Sequence, residues 1–300
     1  MQYIFLSHDV DWRRQGPPIE HVLKRKDRFD PEVFANTKPE NLYRNIPEYM
    51  ELEEKFGIRS TFFFRTLYEN GNVDDYEDDI LALQDGGWEI GLHTDPQSIN
   101  DIEKIKQEKE KLESLTKKPI IGNRVHFLNY NLELPKKLKK LEFLYDSSLR
   151  HSKDKIDEKE MEYSKIDELI EFPVTLMDAY LFTHMGIKEN GIIPEFKKTL
   201  ELGRGFSDNK GLIEFPVTLM DAYLFTHMGI REDGLIPEFE KTLELGRNFS
   251  DKNVISVIWH DNVLKMKGGR MYKEILEFLI SQEDVKILCG RDLIKTLEII

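Results

Sequence analysis

A single cysteine, Cys289, in 300 residues excludes an intrachain disulfide and any cysteine-rich zinc module. Basic charge is scarce as well: 43 lysines and arginines stand against 56 aspartates and glutamates, for a net charge of -13. That balance argues against a nucleic-acid footprint and against docking on an anionic membrane. No run of about 18 apolar residues is present, so no transmembrane helix is expected. Nor does a basic segment with a long apolar stretch open the chain, which runs directly into Tyr3-Ile4-Phe5-Leu6. No signal peptide is expected, and the absences together point to a soluble cytoplasmic protein.

What is there suits one large domain. The chain is 40% hydrophobic and 33% charged, enough to bury a sizeable core under a solvated surface. Three hundred residues lie within the range of a single α/β barrel, and residues 1–300 are read as one domain. Strand-like and helix-like stretches alternate, the pattern of a parallel sheet with covering helices. Strands are expected at 2–7, 59–64, 88–93, 119–125, 143–148, 254–260 and 285–289. Helices are expected at 45–56, 75–84, 99–115, 135–141 and 272–282, with one more at the C-terminus. A long polar loop carrying Pro17, Pro18 and Pro31 separates the first strand from the first helix.

Residues 169–209 and 212–252 are near-copies, differing only at Lys188/Arg231, Asn190/Asp233, Ile192/Leu235, Lys197/Glu240, Gly205/Asn248 and Asn209/Lys252. Each copy reads as a strand, a loop with His184 or His227, and a helix beginning near Pro194 or Pro237. Solenoids need three or more repeats, so two copies suggest a duplicated βα unit. Removing one would leave about 257 residues, still ample for a barrel. Only one copy, 212–252, is expected in the barrel, where it connects directly to the strand ending in His260. The surplus copy would pack outside or form a homo-oligomer interface, with His184 and His227 as loop residues and Asp178 and Asp221 nearer the strand ends.

Candidate ligands fall at the C-terminal ends of the expected strands. His8, Asp9 and Asp11 follow the first, His93 and Asp95 the third, Arg124 and His126 the fourth, and His260 and Asp261 the one from Val254. In an α/β barrel these ends converge on one face. Imidazole with carboxylate is the ligand set of zinc or a similar divalent ion. Alone, each His–Asp pair reads as a loop hydrogen-bond device; four in register read as a shared site. The basic residues Arg13-Arg14 and Lys24-Arg25-Lys26 lie on the loop above it, where an anionic substrate is one use for them and a solvated face the other.

The segments Ser7-His8-Asp9-Val10-Asp11-Trp12, Glu89-Ile90-Gly91-Leu92-His93-Thr94, Gly122-Asn123-Arg124-Val125-His126 and Ile258-Trp259-His260 occur in a telling order. With Tyr145-Asp146-Ser147-Ser148, they resemble the NodB-homology motifs of the polysaccharide deacetylases, the family-4 carbohydrate esterases. The resemblance covers roughly residues 1–150 and 254–290. It implies a deformed (β/α)7-type barrel, here with one duplicated βα unit, and a divalent metal, zinc in the first instance. By the same resemblance Asp9 matches the general base, Arg124 its brace and His260 the general acid, while Asp11 and His93 match metal ligands. Trp12, Asp95, Asp146 and Trp259 are candidate substrate contacts.

The chain departs from the family pattern twice: Gln97 stands where a second histidine is usual, and His126 where proline is. The third ligand is then His126, Asp95 or an intervening water. The implied activity is removal of an acetyl or other acyl group from an amino sugar or polysaccharide-like substrate. A non-catalytic carbohydrate-binding barrel, a C–N hydrolase acting on a non-sugar amide, and a structural role for the extra unit are the alternatives.

Overall fold

A computed structural model describes residues 2–148, 170–171, 217–220, 232–247, 253–267 and 269–297. Eleven strands are described: β1 (Gln2–Val10), β2 (Thr61–Phe64), β3 (Leu67–Tyr68), β4 (Gly71–Asn72), β5 (Glu89–Thr94), β6 (Gly122–Val125), β7 (Tyr145–Asp146), β8 (Ile170–Glu171), β9 (Val217–Met220), β10 (Asn253–Ile258) and β11 (Val285–Leu288). The helices are α1 (Ile19–Lys24), α2 (Pro31–Asn36), α3 (Pro39–Leu42), α4 (Ile46–Lys55), α5 (Glu77–Asp85), α6 (Ile102–Thr116), α7 (Leu134–Lys140), α8 (Glu232–Arg247), α9 (Tyr272–Ile280) and α10 (Gly290–Thr296). All strands but the β3–β4 hairpin join one parallel sheet, in the order β8-β7-β6-β5-β2-β1-β10-β9. The short β11 pairs with Gln2–Phe5 of β1, and β2 takes over from Ser7.

Strand alternation sorts the core into two layers, because successive side chains point to opposite faces. Ile4, Leu6 and Val10 of β1, with Phe62 and Phe64 of β2, belong to the large cluster that includes the covering helices. The intervening Phe5 and Phe63 join Tyr145, Val254 and the α10 residues Leu293, Ile294 and Leu297 in a second cluster inside the curl. In-register partners carry this parity across the sheet: Asp9 aligns with Phe63, Phe63 with Gly91, and His93 with Arg124. Every aligned residue therefore shares the inner face with Phe5 and Phe63. Gly91 and Gly122 make room there, since a Cβ on either would fall within 2.5 Å of the Phe63 or Tyr145 ring.

Three expectations are corrected. The polar loop after β1 contains α1, α2 and α3, and Pro31 and Pro39 sit in the first turns of α2 and α3, where a missing N–H leaves no bond unmade. The second-copy helix begins at Glu232, so Pro237 lies inside it and not at its start. It survives there because Leu235, Phe239 and Leu243, at helical spacing, are all buried. Finally, strands from both copies enter the sheet: Ile170–Glu171 pairs with β7 and Val217–Met220 with β10, at opposite edges. The strand ending in His260 is not displaced by this, since β10 is fixed by its own six-residue register with β1. The remainder of the first copy, with Asp178 and His184, lies outside the described residues, as do Asp221 and His227 of the second copy.

Candidate metal centre

Four strands deliver the site, and the inner-face parity of the sheet decides which side chains reach it. Asp9 and Asp11 come from the end of β1, His93 from β5, Arg124 and His126 from β6, and His260 from just past β10. Asp11 Oδ1, His93 Nε2 and His126 Nδ1 form a nearly equilateral triangle. The edges are 3.3 Å from Asp11 to His93, 3.2 Å from Asp11 to His126 and 3.2 Å between the two imidazoles. Four ligands held tetrahedrally at about 2.0 Å from an ion lie about 3.3 Å apart, so the triangle has the dimensions of one face of such a site.

The donor chemistry agrees. His93 Nδ1 lies 2.9 Å from the Arg124 carbonyl, which only accepts, so Nδ1 carries the proton and Nε2 turns a lone pair to the triangle. Asp11 Oδ1 is buried without an aligned hydrogen-bond donor. Burial pushes the Asp11 carboxyl up, but the closeness of the His126 and His93 imidazoles outweighs it and holds the group well below the usual carboxylate range. These residues fit a divalent ion. Among the described residues, they are the group of three His, Cys, Asp or Glu side chains so arranged.

Asp9 and His260 flank the triangle. Asp9 Oδ1 accepts from Arg124 at 2.7 Å, leaving Oδ2 toward the cluster, 3.9 Å from His93 Nε2. Burial would raise the Asp9 carboxyl, yet Arg124, His93 and His260 together hold it below its usual range. Arg124 is fully buried: it also donates to Ser7 Oγ, to the Ser147 carbonyl and to Ser147 Oγ, and its guanidinium lies 4.4 Å over the Phe63 ring. His260 Nε2 is 3.7 Å from Asp11 Oδ2, with the Tyr49 hydroxyl donating to its carbonyl at 3.0 Å.

The remaining candidates fall elsewhere. Asp95 is outside the triangle: its Oδ1 accepts from the Gln97 backbone and its Oδ2 lies 3.4 Å from Arg65. Gln97 is exposed. His8 points outward, where it stacks on Phe62 and binds the buried Glu53 at 2.8 Å. Trp259 is fully buried against Tyr272, which leaves it no surface for a substrate. Asp146 also faces away from the interior, accepting from Asn123 and Ser148. Trp12 stays half-buried at the rim, edge-on to His21 at 4.5 Å.

Sequence reasoning missed Ser147 and Arg65 as supports. Ser147 carried a signal, since it shares the parity of Tyr145. Also missed was the state of Asp261, whose two carboxyl oxygens are buried without aligned partners. Burial, reinforced by Asp11 and Asp9 against the pull of His260, pushes that carboxyl well above the usual range.

No family model and no curated protein matches the chain. Solved structures do. A structure described as a polysaccharide deacetylase from Mycobacterium smegmatis superposes with a TM-score of 0.60 at 16% identity, over 99% of this chain and 90% of the other. One so described from Pseudomonas aeruginosa gives 0.59 at 13% identity, over 98% and 90%. Puue allantoinase gives 0.60 at 14% identity, over 98% and 89%. The curled parallel sheet with its helices is thus the polysaccharide-deacetylase fold.

Proposed function

We propose that, on this deacetylase-type barrel, the chain is a metal-dependent hydrolase that removes an acyl group from an amino sugar or related glycan. The observation that carries the reading is the 3.2–3.3 Å triangle of Asp11, His93 and His126, with Asp9 within 3.9 Å of His93 and His260 within 3.7 Å of Asp11. His126 serves as third ligand in place of the histidine absent at Gln97. A divalent ion there, zinc in the first instance, supplies Lewis acidity that polarises an acyl carbonyl and acidifies water.

The protein's own residues do the rest. Arg124 keeps Asp9 ionised and fixes its Oδ1, so that Oδ2 takes the proton from the attacking water. His260, beside Asp11, gives a proton to the departing nitrogen or oxygen. Since fold alone does not select the substrate, and an allantoinase shares it, a non-sugar amide is the second reading.

Metal content and acetate release together test the proposal. The wild type should take up one zinc per chain and release acetate from N-acetylated chito-oligosaccharides. Asp9→Asn should keep the zinc and lose the activity, and His260→Ala should slow turnover by roughly 10²–10⁴-fold. Wild-type rates in both variants would refute these roles. A zinc-loaded protein inactive on acetylated sugars but active on cyclic or linear amides would shift the substrate to the second reading.

A further inference from the structure

We propose that Trp12, His21, Arg25, Arg28 and Tyr43 form a pocket beside the metal cluster that binds an anionic substituent of the substrate, a carboxylate or phosphate. As a substrate subsite it rests on the hydrolase reading; anion binding by the pocket does not.

The first observation is unneutralised charge. This is an acidic chain in which bases generally find partners: Arg14 and Arg44 share Asp79, Lys265 pairs with Glu48, and Arg270 with Asp30 and Glu232. Lys24, Arg25, Lys26 and Arg28 are four bases in five residues, and none makes a side-chain ion pair or hydrogen bond among the described residues. Glu20 and Asp27 are the acids of the same stretch, so it stays net positive. The segment is held in place by a bridge from Phe29 to Met266 and by the Lys267 N–H, which donates to the Arg28 carbonyl at 2.7 Å.

The second observation is a buried hydroxyl. Tyr43 is 2% exposed and its OH has no hydrogen-bond partner, a condition that costs about 1–3 kcal/mol when nothing fills it. Its ring packs 5.8 Å from His21 and 6.0 Å from Trp12. Burial raises the Tyr43 hydroxyl, and Arg28 and Arg25 pull against it; burial lowers His21, and Arg25, Arg28 and Lys24 lower it further. Arg25 caps the C-terminus of α1, which carries His21, and Arg28 lies in the turn after it, near enough for their charge to bear on both groups. Guanidinium forks, a phenol donor and an imidazole N–H are all donors, and a planar or tetrahedral oxyanion is the ligand that satisfies them together. Trp12 directly follows the ligand Asp11 in the chain, so the pocket is joined to the reacting centre through one backbone link.

Inorganic phosphate, titrated into the full chain and followed by the His21 ring signals in NMR, tests this without turnover. The expected result is a saturable shift, weakened at least tenfold in Arg25→Ala/Arg28→Ala, which removes two charge-assisted contacts. Tyr43→Phe, which keeps the ring, should weaken it several-fold. A shift that does not saturate, or that is the same in the double variant, overturns the pocket. Zinc uptake measured on the same samples separates the two readings: phosphate binding without zinc uptake refutes the hydrolase and leaves the pocket, and the reverse refutes the pocket alone.

Discussion

At the scale of single residues, the site depends on one buried cation. Arg124 has no exposed surface and compensates Asp9, itself 5% exposed, so neither can be removed alone without stranding the other. Arg124→Leu should therefore destabilise the protein by about 3–5 kcal/mol, as expected for a buried ion pair broken on one side. Adding Asp9→Asn should recover part of the loss; urea denaturation of the single and double variants measures it, and simple additivity would contradict the coupling. Asp9, Asp11, His93, His126 and His260 were legible in the sequence because parallel strand ends in an α/β fold share one rim. Trp259 and Asp146 were misread because motif proximity ignores alternation. His260 and Tyr145 face inward, so their neighbours must face the helices.

Between elements, the loop that follows β5 is tied to α6 through one carboxyl. Glu108 accepts from the Asp95 N–H at 3.1 Å and from the Ser98 hydroxyl. Burial, with a push from Asp95, raises it to about 7 against those two hydrogen bonds. The folded protein therefore keeps a proton between about pH 4.5 and 7 that the unfolded chain releases. The stability from this group is complete below about 4.5 and is lost as pH rises through 7. Glu108→Gln stays neutral throughout, so its melting temperature should gain on the wild type between pH 5 and pH 8. A difference that is constant across that range would contradict the assignment. Element placement was legible wherever hydrophobic periodicity was strong, as in β2 and α6. The short helices α1 to α3 were not, since four to six residues cannot display a period.

For the molecule as a whole, the duplication and the site are separable. The strands that hold Asp11, His93, His126 and His260 pair among themselves, in the order β6-β5-β2-β1-β10, and among the described residues the two copies add to the sheet the flanking β8 and β9, the second copy also supplying α8. Deleting residues 169–211 should leave a chain that unfolds cooperatively at a lower temperature yet binds zinc as before, as calorimetry and metal analysis would establish. Loss of zinc binding would mean that the flanking strands shape the centre. The sequence disclosed the repeat but not its placement, because near-identical copies carry the same local preferences and only their neighbours tell them apart. The pairing of β1 with β10 has one more consequence, in time. Its contacts bridge residues 250 positions apart, as from Ser7 to Val257. At about 5–20 residues per second, a ribosome finishes β10 roughly 12–50 s after β1. Throughout that interval the apolar first strand has an open edge and only part of the candidate site, so the nascent chain is the form most in need of a chaperone.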